Sequence, residues 1–342
     1  MRPVNATQPI TGLGPRIWLD RLTRDHLTRG TLQRYIDEGL VEGVSSSLGA
    51  LADAISESPA YDAAIKQAHA QKQSTEETVL ELTLADVTAA ADLLRPLYDR
   101  TGGERGWVSM DISPSRTAHA AGIVAVAKDL VTRAARPNLF IKIPGNARSL
   151  PAVEEAIFAG VLVHVTLLYS AEQYFAAADA FLRGVERRLA AGASPQAEYV
   201  ASLHVGPWAA ARSRVPADLV TPLATAVAQR TYAVHRKLLN SGRWQQLASA
   251  GVRPHRLVCV GTTTANDSHA LVVLMDGGEA GGIGLTSPGG WDDALAHCER
   301  TGVDVYALAA RFQDEGLRSF ERSWEALVAA IRWKRAALAS TQ

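Results

Sequence analysis

The chain has 342 residues, of which 47% are hydrophobic and 20% are charged, a composition typical of a soluble, enzyme-sized globular protein. Lys plus Arg and Asp plus Glu both number 35, so no strong field favours nucleic acid or an anionic membrane as a partner. The two cysteines, Cys259 and Cys298, lack CxxC spacing and predict neither a disulfide framework nor a zinc site. With no signal-like start and no apolar run of roughly 18 residues, we expect a cytoplasmic protein.

Short β-branched runs alternate along the chain with long stretches of helical period. This alternation predicts repeated strand–helix units around a parallel sheet. Eight such units indicate an α/β fold, the (β/α)₈ TIM barrel. A doubly wound open sheet is the alternative, but no Gly-x-Gly-x-x-Gly motif follows the first strand. The predicted strands are Arg16–Asp20, Val41–Ser47, Gly106–Ile112, Leu139–Gly145, Val161–Tyr169, Tyr199–Val205, Arg256–Thr262 and Gly282–Ser287.

The two ends of the chain differ from this repeating pattern. We predict that residues 1–15 are disordered and that residues 16–342 form a single barrel domain, because no linker or short repeat interrupts them. The polar stretch Glu57–Lys72 predicts an extra surface helix before the third strand. The chain stays helical in pattern after the eighth strand, which predicts an appended C-terminal helix whose composition leaves a homodimer open.

The run LFIKIPGN places Lys142 in the middle of a strand, where a charged amine is costly unless it is paired or used. Desolvation favours the neutral amine, which attacks carbonyl groups, and the resulting iminium is an electron sink for making or breaking a carbon–carbon bond. Asp111 and Asp20, at the ends of other strands, are the acids available to move protons. Because chemistry in a barrel gathers at the C-terminal ends of its strands, the pattern indicates amine catalysis of a small carbonyl compound.

Each of these residues also has a structural interpretation. Lys142 and Asp111 on neighbouring strands would form an ion pair without a catalytic role. His164 and His204, taken alone, suit core or wall positions better than metal ligands. Asp20 fits a helix N-cap, and the serines after the second strand fit a polar loop. The residues by themselves leave these alternatives open.

Several stretches of the chain resemble the transaldolase family, and the resemblance runs nearly end to end. It implies a (β/α)₈ barrel and a class I, Schiff-base mechanism without metal or organic cofactor. In that mechanism a dihydroxyacetone unit passes from a ketose to an aldose. The stretches that carry the resemblance are IWLDRLTRDHL, LQRYIDEGLVEGVSSS, GWVSMDISP, RPNLFIKIPGN, VHVTLLYSAEQYFAAADAFLRGVERR, YVASLHVG and LAARFQDEGLRSFERSWEALVAAIRWKRAAL.

The resemblance implies a role for individual residues. Lys142 matches the family's Schiff-base lysine, and Asp20 matches the aspartate that assists carbon–carbon cleavage. Thr166 matches the threonine near the catalytic water, and Ser202 matches a serine that helps bind substrate. The predicted catalytic residues are Lys142, Asp20, Asp111 and Thr166. The predicted substrate-binding residues, with no metal ligand among them, are Ser47, His164, Ser202, His204, Thr262 and Thr264.

Three departures from the family pattern lie next to these residues. Asp111 stands where the family has a glutamate that shuttles protons, so its carboxyl group is one methylene shorter. Ser47 and Leu48 replace an asparagine and a proline. His164 replaces an asparagine and borders the iminium, where a histidine would orient donor hydroxyls or act as an added acid–base group.

Two further departures concern a substrate phosphate. Pro207 and Ala265 align with an arginine and a basic residue of the family, and each such cation stabilises a bound phosphate by about 1.5–3 kcal/mol. Their loss predicts weak phosphosugar binding, unless Arg212 and Arg214 compensate from another direction. The expectations are therefore a transaldolase-like enzyme with an unphosphorylated or differently charged carbonyl substrate, an ordinary transaldolase with a rearranged phosphate site, or a catalytically silent barrel that binds a ligand. Retention of Lys142 speaks against the silent barrel.

Overall fold

In the computed structural model the described residues are 17–114, 119–261, 271–274, 279–280, 283–284 and 290–340. The predicted disordered segment 1–15 lies outside them. Eight strands form a closed barrel in chain order, and the first seven run parallel, as they do in a (β/α)₈ barrel. The strands are β1 Ile17–Leu19, β2 Gly43–Ser45, β3 Trp107–Asp111, β4 Leu139–Pro144, β5 Val163–Leu168, β6 Tyr199–His204, β7 Arg256–Gly261 and β8 Leu271–Leu274.

Helices follow the strands and cover the outside of the barrel. They are α1 Arg24–Thr28, α2 Thr31–Asp37, α3 Leu48–Glu57, α4 Asp62–Ala70, α5 Thr75–Arg100, α6 Ala120–Ala134, α7 Leu150–Phe158, α8 Ala171–Ala190, α9 Gly206–Ala209, α10 Val220–Leu239, α11 Gly242–Ser249, α12 Gly290–Arg300 and α13 Val305–Ala339. None of the described helices is long and apolar enough to cross a membrane.

The eighth strand is where the prediction from sequence is wrong. β8 lies earlier in the chain than the predicted Gly282–Ser287 and runs antiparallel to both β7 and β1. Within the predicted segment, Ile283–Gly284 (β10) pairs with Glu279–Ala280 (β9) in a separate sheet. Residues 262–270 alone join β7 to β8, too few for the crossover that a parallel neighbour needs.

Side chains alternate between the two faces of the barrel wall, as the two-residue period of a strand requires. Those that point outward, such as Val108, Ile141 and Val165, join the large core under the helices. Those that point inward at the N-terminal ends of the strands form a dry layer inside the barrel. This lower layer consists of Trp18, Trp107, Phe140, Val200 and Val258.

The predicted C-terminal helix is present as α13, which begins after its N-cap Asp304 and packs against α3, α4, α5 and β5. Its C-terminal half buries Leu327 and Ile331 in a second apolar cluster. The extra helix predicted over Glu57–Lys72 is also present, as a 3₁₀ turn at Pro59–Tyr61 followed by α4, and it packs in the same cluster. α13 thus lies on the barrel with its N-terminal half near the C-terminal ends of the strands.

Candidate active site

Alternation along β4 explains how a lysine comes to stand in an apolar strand. Ile141 and Ile143 face the core outside the barrel, whereas Phe140 belongs to the lower layer inside it. Lys142, two residues after Phe140, therefore points into the barrel one layer higher, and it is 8% exposed. The lower layer excludes water from beneath the amine.

Lys142 is held by two partners, one on the neighbouring strand β3 and one just after β2. Its Nζ donates to the Ser46 carbonyl at 2.6 Å and lies 3.2 Å from the Asp111 carboxylate. The parallel pairing of β3 with β4 sets Asp111 directly opposite Lys142 in register. The ion pair that the sequence allowed is present, and its carboxylate is close enough to exchange a proton with the amine directly.

Ser46 is one of the residues of this site that sequence reasoning did not select, as is Ser109. The Ser46 hydroxyl donates to Asp111 Oδ2 at 3.0 Å and accepts from the Asp111 backbone N–H at 2.9 Å, while the Ser46 carbonyl accepts from Lys142. Ser46 is buried. The run of three serines after β2 was the available signal, but their separate roles depend on how the chain turns at the strand end.

Asp20 follows β1 and faces the same interior. It is not a helix N-cap, because α1 begins after Thr23. Burial raises the pKa of Asp20, the charge of Lys142 opposes that rise, and the Asp111 carboxylate adds to it. The lysine thus has two acids beside it, one in direct contact and one that holds a proton more readily than an exposed aspartate.

His164 lies inside the barrel, opposite Lys142 in the pairing of β4 with β5. Its Nδ1 pairs with the Ser109 hydroxyl at 2.7 Å and its Nε2 with the Ser202 hydroxyl at 2.5 Å. Burial, with the nearby charge of Lys142, holds the pKa of His164 well below its ordinary value. The imidazole is therefore neutral, and both of its nitrogens are hydrogen-bonded. Ser109, His164 and Ser202 form one buried hydrogen-bonded unit inside the barrel.

Thr166 and His204 stand one layer higher, at the ends of β5 and β6. The Thr166 hydroxyl pairs with His204 Nε2 at 3.0 Å, and the His204 ring lies 5.4 Å from that of Tyr169. Burial, with the charge of Lys142, lowers the pKa of His204 to about 4. His204 is only half-buried. This layer therefore presents a hydroxyl and a neutral imidazole towards the opening of the barrel.

Not every predicted substrate-binding residue joins this cluster. Ser47 caps α3, where its hydroxyl accepts from the Ala50 N–H at 3.4 Å. Thr262, Thr264 and Ala265 lie outside the described residues.

The structure shows the surroundings of Pro207, which replaces a cation that the family resemblance implies, and of the two nearby arginines. Pro207 lies in the short helix α9, at the end of β6. Arg214 donates to both carboxylate oxygens of Glu315 on α13, each at 2.9 Å, and so is committed to an ion pair. Arg212 is exposed and pairs with no carboxylate in the described ranges. Of the two arginines considered as alternative phosphate ligands, Arg214 already has its charge balanced by Glu315.

No group of three His, Cys, Asp or Glu side chains suited to a metal ion occurs in the part of the chain that the structure describes. The ionisable groups beside Lys142 are instead arranged for proton transfer, with carboxyl groups in contact or nearby and neutral imidazoles around them.

Comparison with known proteins agrees with this architecture. Residues 17–331 match the family model described as Transaldolase/Fructose-6-phosphate aldolase. A transaldolase of Thermobifida fusca is 33% identical, over 94% of this chain and 96% of that protein. A transaldolase of Thiobacillus denitrificans is 32% identical, over 96% of this chain and 100% of that protein. Transaldolase 1 of Streptomyces avermitilis is 32% identical, over 93% of this chain and 92% of that protein.

Proposed function

Because the chain belongs to the transaldolase/fructose-6-phosphate aldolase family, we propose that it transfers a dihydroxyacetone-type unit between a ketose and an aldehyde through a Schiff base on Lys142. The observation that carries this proposal is the buried amine of Lys142, 3.2 Å from the Asp111 carboxylate inside the barrel. Asp20 supplies a second acid from β1. The enzyme is a transferase of the transaldolase type, and its substrate is a small sugar or carbonyl compound.

The first half of the reaction forms the iminium. Lys142 passes a proton to Asp111 across their contact and, as a neutral amine, attacks the donor ketone. Asp111 then returns a proton to the hydroxyl group of the carbinolamine, which leaves as water. Because Asp111 touches Nζ directly, this exchange needs no relay between the carboxyl and the nitrogen.

The second half breaks one carbon–carbon bond and forms another. Asp20 takes the proton of the donor hydroxyl whose carbon leaves as an aldehyde, and the bonding electron pair moves into the iminium to give an enamine. The enamine attacks an acceptor aldehyde, whose oxygen receives the proton from Asp20. Water, positioned beside Thr166, hydrolyses the new iminium and frees the amine of Lys142.

The substrate we propose is unphosphorylated or carries a different charge. Pro207 provides no cation where the family resemblance implies one, and Arg214 is neutralised by Glu315. Arg214 in this bidentate pair would bind a phosphate weakly, because the phosphate would first have to displace the Glu315 carboxylate. His204 and Thr166 at the opening suit hydroxyl groups better than a dianion.

Borohydride trapping tests both levels of this proposal. The protein is incubated with dihydroxyacetone, unphosphorylated ketoses, fructose 6-phosphate and sedoheptulose 7-phosphate, then reduced and analysed by intact mass and peptide mapping. We expect a reduced adduct on Lys142 with the unphosphorylated compounds. Adducts and fast turnover with the phosphosugars would make this an ordinary transaldolase with a rearranged phosphate site. Absence of any adduct on Lys142 would contradict the Schiff base and favour a barrel that only binds.

A further inference from the structure

α13 does more than cover the barrel, because its N-terminal half crosses the C-terminal ends of β4 and β5. We propose that Gln313 on this helix is a positioning residue, which holds the strand ends that carry Lys142 and Thr166 in the arrangement the reaction needs. The inference rests on the proposed function and adds to it a residue that lies outside the barrel.

The contact is a bridge between two strands. Gln313 Nε2 donates to the Gly145 carbonyl at 3.1 Å and to the Leu167 carbonyl at 3.0 Å. A carboxamide nitrogen has two hydrogens, so it satisfies one carbonyl with each. Gly145 follows Lys142 by three residues and Leu167 follows Thr166 directly. One side chain of the helix therefore ties together the ends of the two strands at the reacting groups.

The Leu167 end of this bridge is strained. Leu167 has φ of 60°, in the left-handed region that costs a non-glycine residue free energy, and the β5–β6 pairing shifts register between Val165 and Leu168. Such a bulge turns the neighbouring side chain away from its regular direction, here that of Thr166. A hydrogen bond to the carbonyl of Leu167 stabilises the bulged conformation, so loss of Gln313 would let β5 relax and move Thr166.

The same stretch of α13 also supports the partner of Thr166. Phe312 lies 6.1 Å from the Tyr169 ring, which packs on His204. Gly316, one turn later, leaves room for the Tyr169 hydroxyl, which a Cβ at that position would overlap. His204 in turn holds the Thr166 hydroxyl. Gln313 thus stands at the centre of a short helical segment that sets the positions of several site residues together.

Docking of α13 does not depend on Gln313. The C-terminal half of the helix is anchored by Leu327 and Ile331 in the second apolar cluster, and Gln313 itself is only half-buried. Removing its carboxamide should therefore change the geometry of the site more than the stability of the fold.

The first test substitutes the carboxamide. Gln313→Leu should lower the rate constant for the borohydride-trapped adduct on Lys142 by roughly 10–100-fold at saturating donor, with little change in half-saturation, because misplacement and not binding is the defect. Gln313→Glu keeps the size but sets carboxylate oxygens against two carbonyls, and it should reproduce the loss if the leucine variant does not fold. Asp314→Leu, on the exposed neighbour, is the matched control and should leave the rate unchanged.

A rescue experiment separates positioning from loss of stability. Glycine adopts positive φ without strain, so Leu167→Gly in the Gln313→Leu background should recover part of the lost rate even though it removes a buried side chain. If Gln313 served only stability, the second substitution would lower thermal stability and rate further. That additive loss would overturn the proposal.

Hydrogen exchange gives a measurement that needs no substrate. In Gln313→Leu, amides of the peptide covering Val163–Leu168 should exchange faster than in the wild type, while those of β7 should not change. If no carbonyl compound is trapped on Lys142 in the wild type, the proposed function fails and this comparison alone decides the role of Gln313. Unchanged exchange across β5 would show that Gln313 does not hold the strand.

Discussion

Two buried lysines of this protein lie in different regions but have the same kinds of partner, a serine carbonyl and an aspartate. Lys142 inside the barrel is 8% exposed and contacts the Ser46 carbonyl at 2.6 Å and Asp111 at 3.2 Å. Lys334 on α13 is 9% exposed and contacts the Ser58 carbonyl at 3.2 Å. It also lies 3.0 Å from Asp62 Oδ1, at an angle that does not make a hydrogen bond.

The difference between them lies in the wider surroundings. Beside Lys142 stand a second carboxyl group, Asp20, and two imidazoles with lowered pKa, under an opening at the strand ends. Lys334 joins α13 to the turn before α4, and Asp62 is 28% exposed at its side chain. Burial and pairing are common to both lysines, so they do not distinguish Lys142. The proposal that Lys142 is catalytic rests on the additional acid beside it.

The sharpest test of this comparison replaces each lysine by methionine. Lys142→Met should abolish both turnover and the borohydride-trapped adduct, because the nucleophile is absent. Lys334→Met should leave the adduct intact and lower the free energy of unfolding by about 1–3 kcal/mol, since it leaves a partly exposed carboxylate unpaired. Adduct mass by peptide mapping and urea denaturation measure the two effects. An adduct that disappears with Lys334 would contradict the assignment of Lys142.

Asp111 and Asp62, the aspartates beside the two lysines, are expected to differ in the same way. Asp111→Asn should slow adduct formation by roughly 10²–10⁴-fold, the usual size of a general acid–base contribution, in stopped reactions quenched with borohydride. Asp62→Asn, the matched change at the other lysine, should leave that rate as in the wild type. An unchanged rate in Asp111→Asn would reduce the Lys142–Asp111 contact to a structural ion pair.

The histidine beside the site should make stability depend on pH. The pKa of His204 is about 4 in the folded protein and 6.5 as an ordinary histidine, so only the unfolded chain takes up this proton between those values. This stabilising contribution is fully present above pH 6.5 and is lost as pH falls. The loss reaches about 3 kcal/mol near pH 4.

His204→Gln removes this dependence and should flatten the pH profile of urea denaturation, whereas Lys334→Met should keep the wild-type slope. The raised pKa of Asp20 acts in the opposite direction and increases stability as pH falls, but it is present in all three proteins. Equal slopes for the wild type and His204→Gln would mean that His204 is protonated normally.

The smallest expected effects are those of removing the hydroxyl groups of Ser46 and Ser58, the serines whose carbonyls accept from the two lysines. Ser46→Ala removes the hydroxyl that donates to Asp111 and should slow adduct formation by about 10-fold, consistent with one hydrogen bond to a charged group. The Ser58 hydroxyl accepts from the Ala60 N–H instead, so Ser58→Ala should cost about 1 kcal/mol of stability and leave the rate unchanged. Trapping kinetics and thermal denaturation of both variants measure this contrast.

Much of the fold and part of the site could be predicted from the sequence because they depend on short-range patterns. The two-residue period of LFIKIP determines which side chains of β4 face the barrel interior, and Lys142 is one of them. The same period, repeated in β1 and β3, aimed Asp20 and Asp111 at the same interior. The predicted position of the eighth strand is wrong because LVVL and the predicted segment both favour a strand, and local propensity does not decide between them.

The sequence by itself determined the barrel, the inward lysine and the acids around it, since each follows from local periodicity and from the convergence of parallel strand ends. Only the tertiary structure decided which groups share a hydrogen bond. Ser46 lies 96 residues from Lys142, Glu315 lies 101 residues from Arg214, and Gln313 lies 146 residues from Leu167. Such pairings follow from how separate elements pack, and no pattern within one element carries that information.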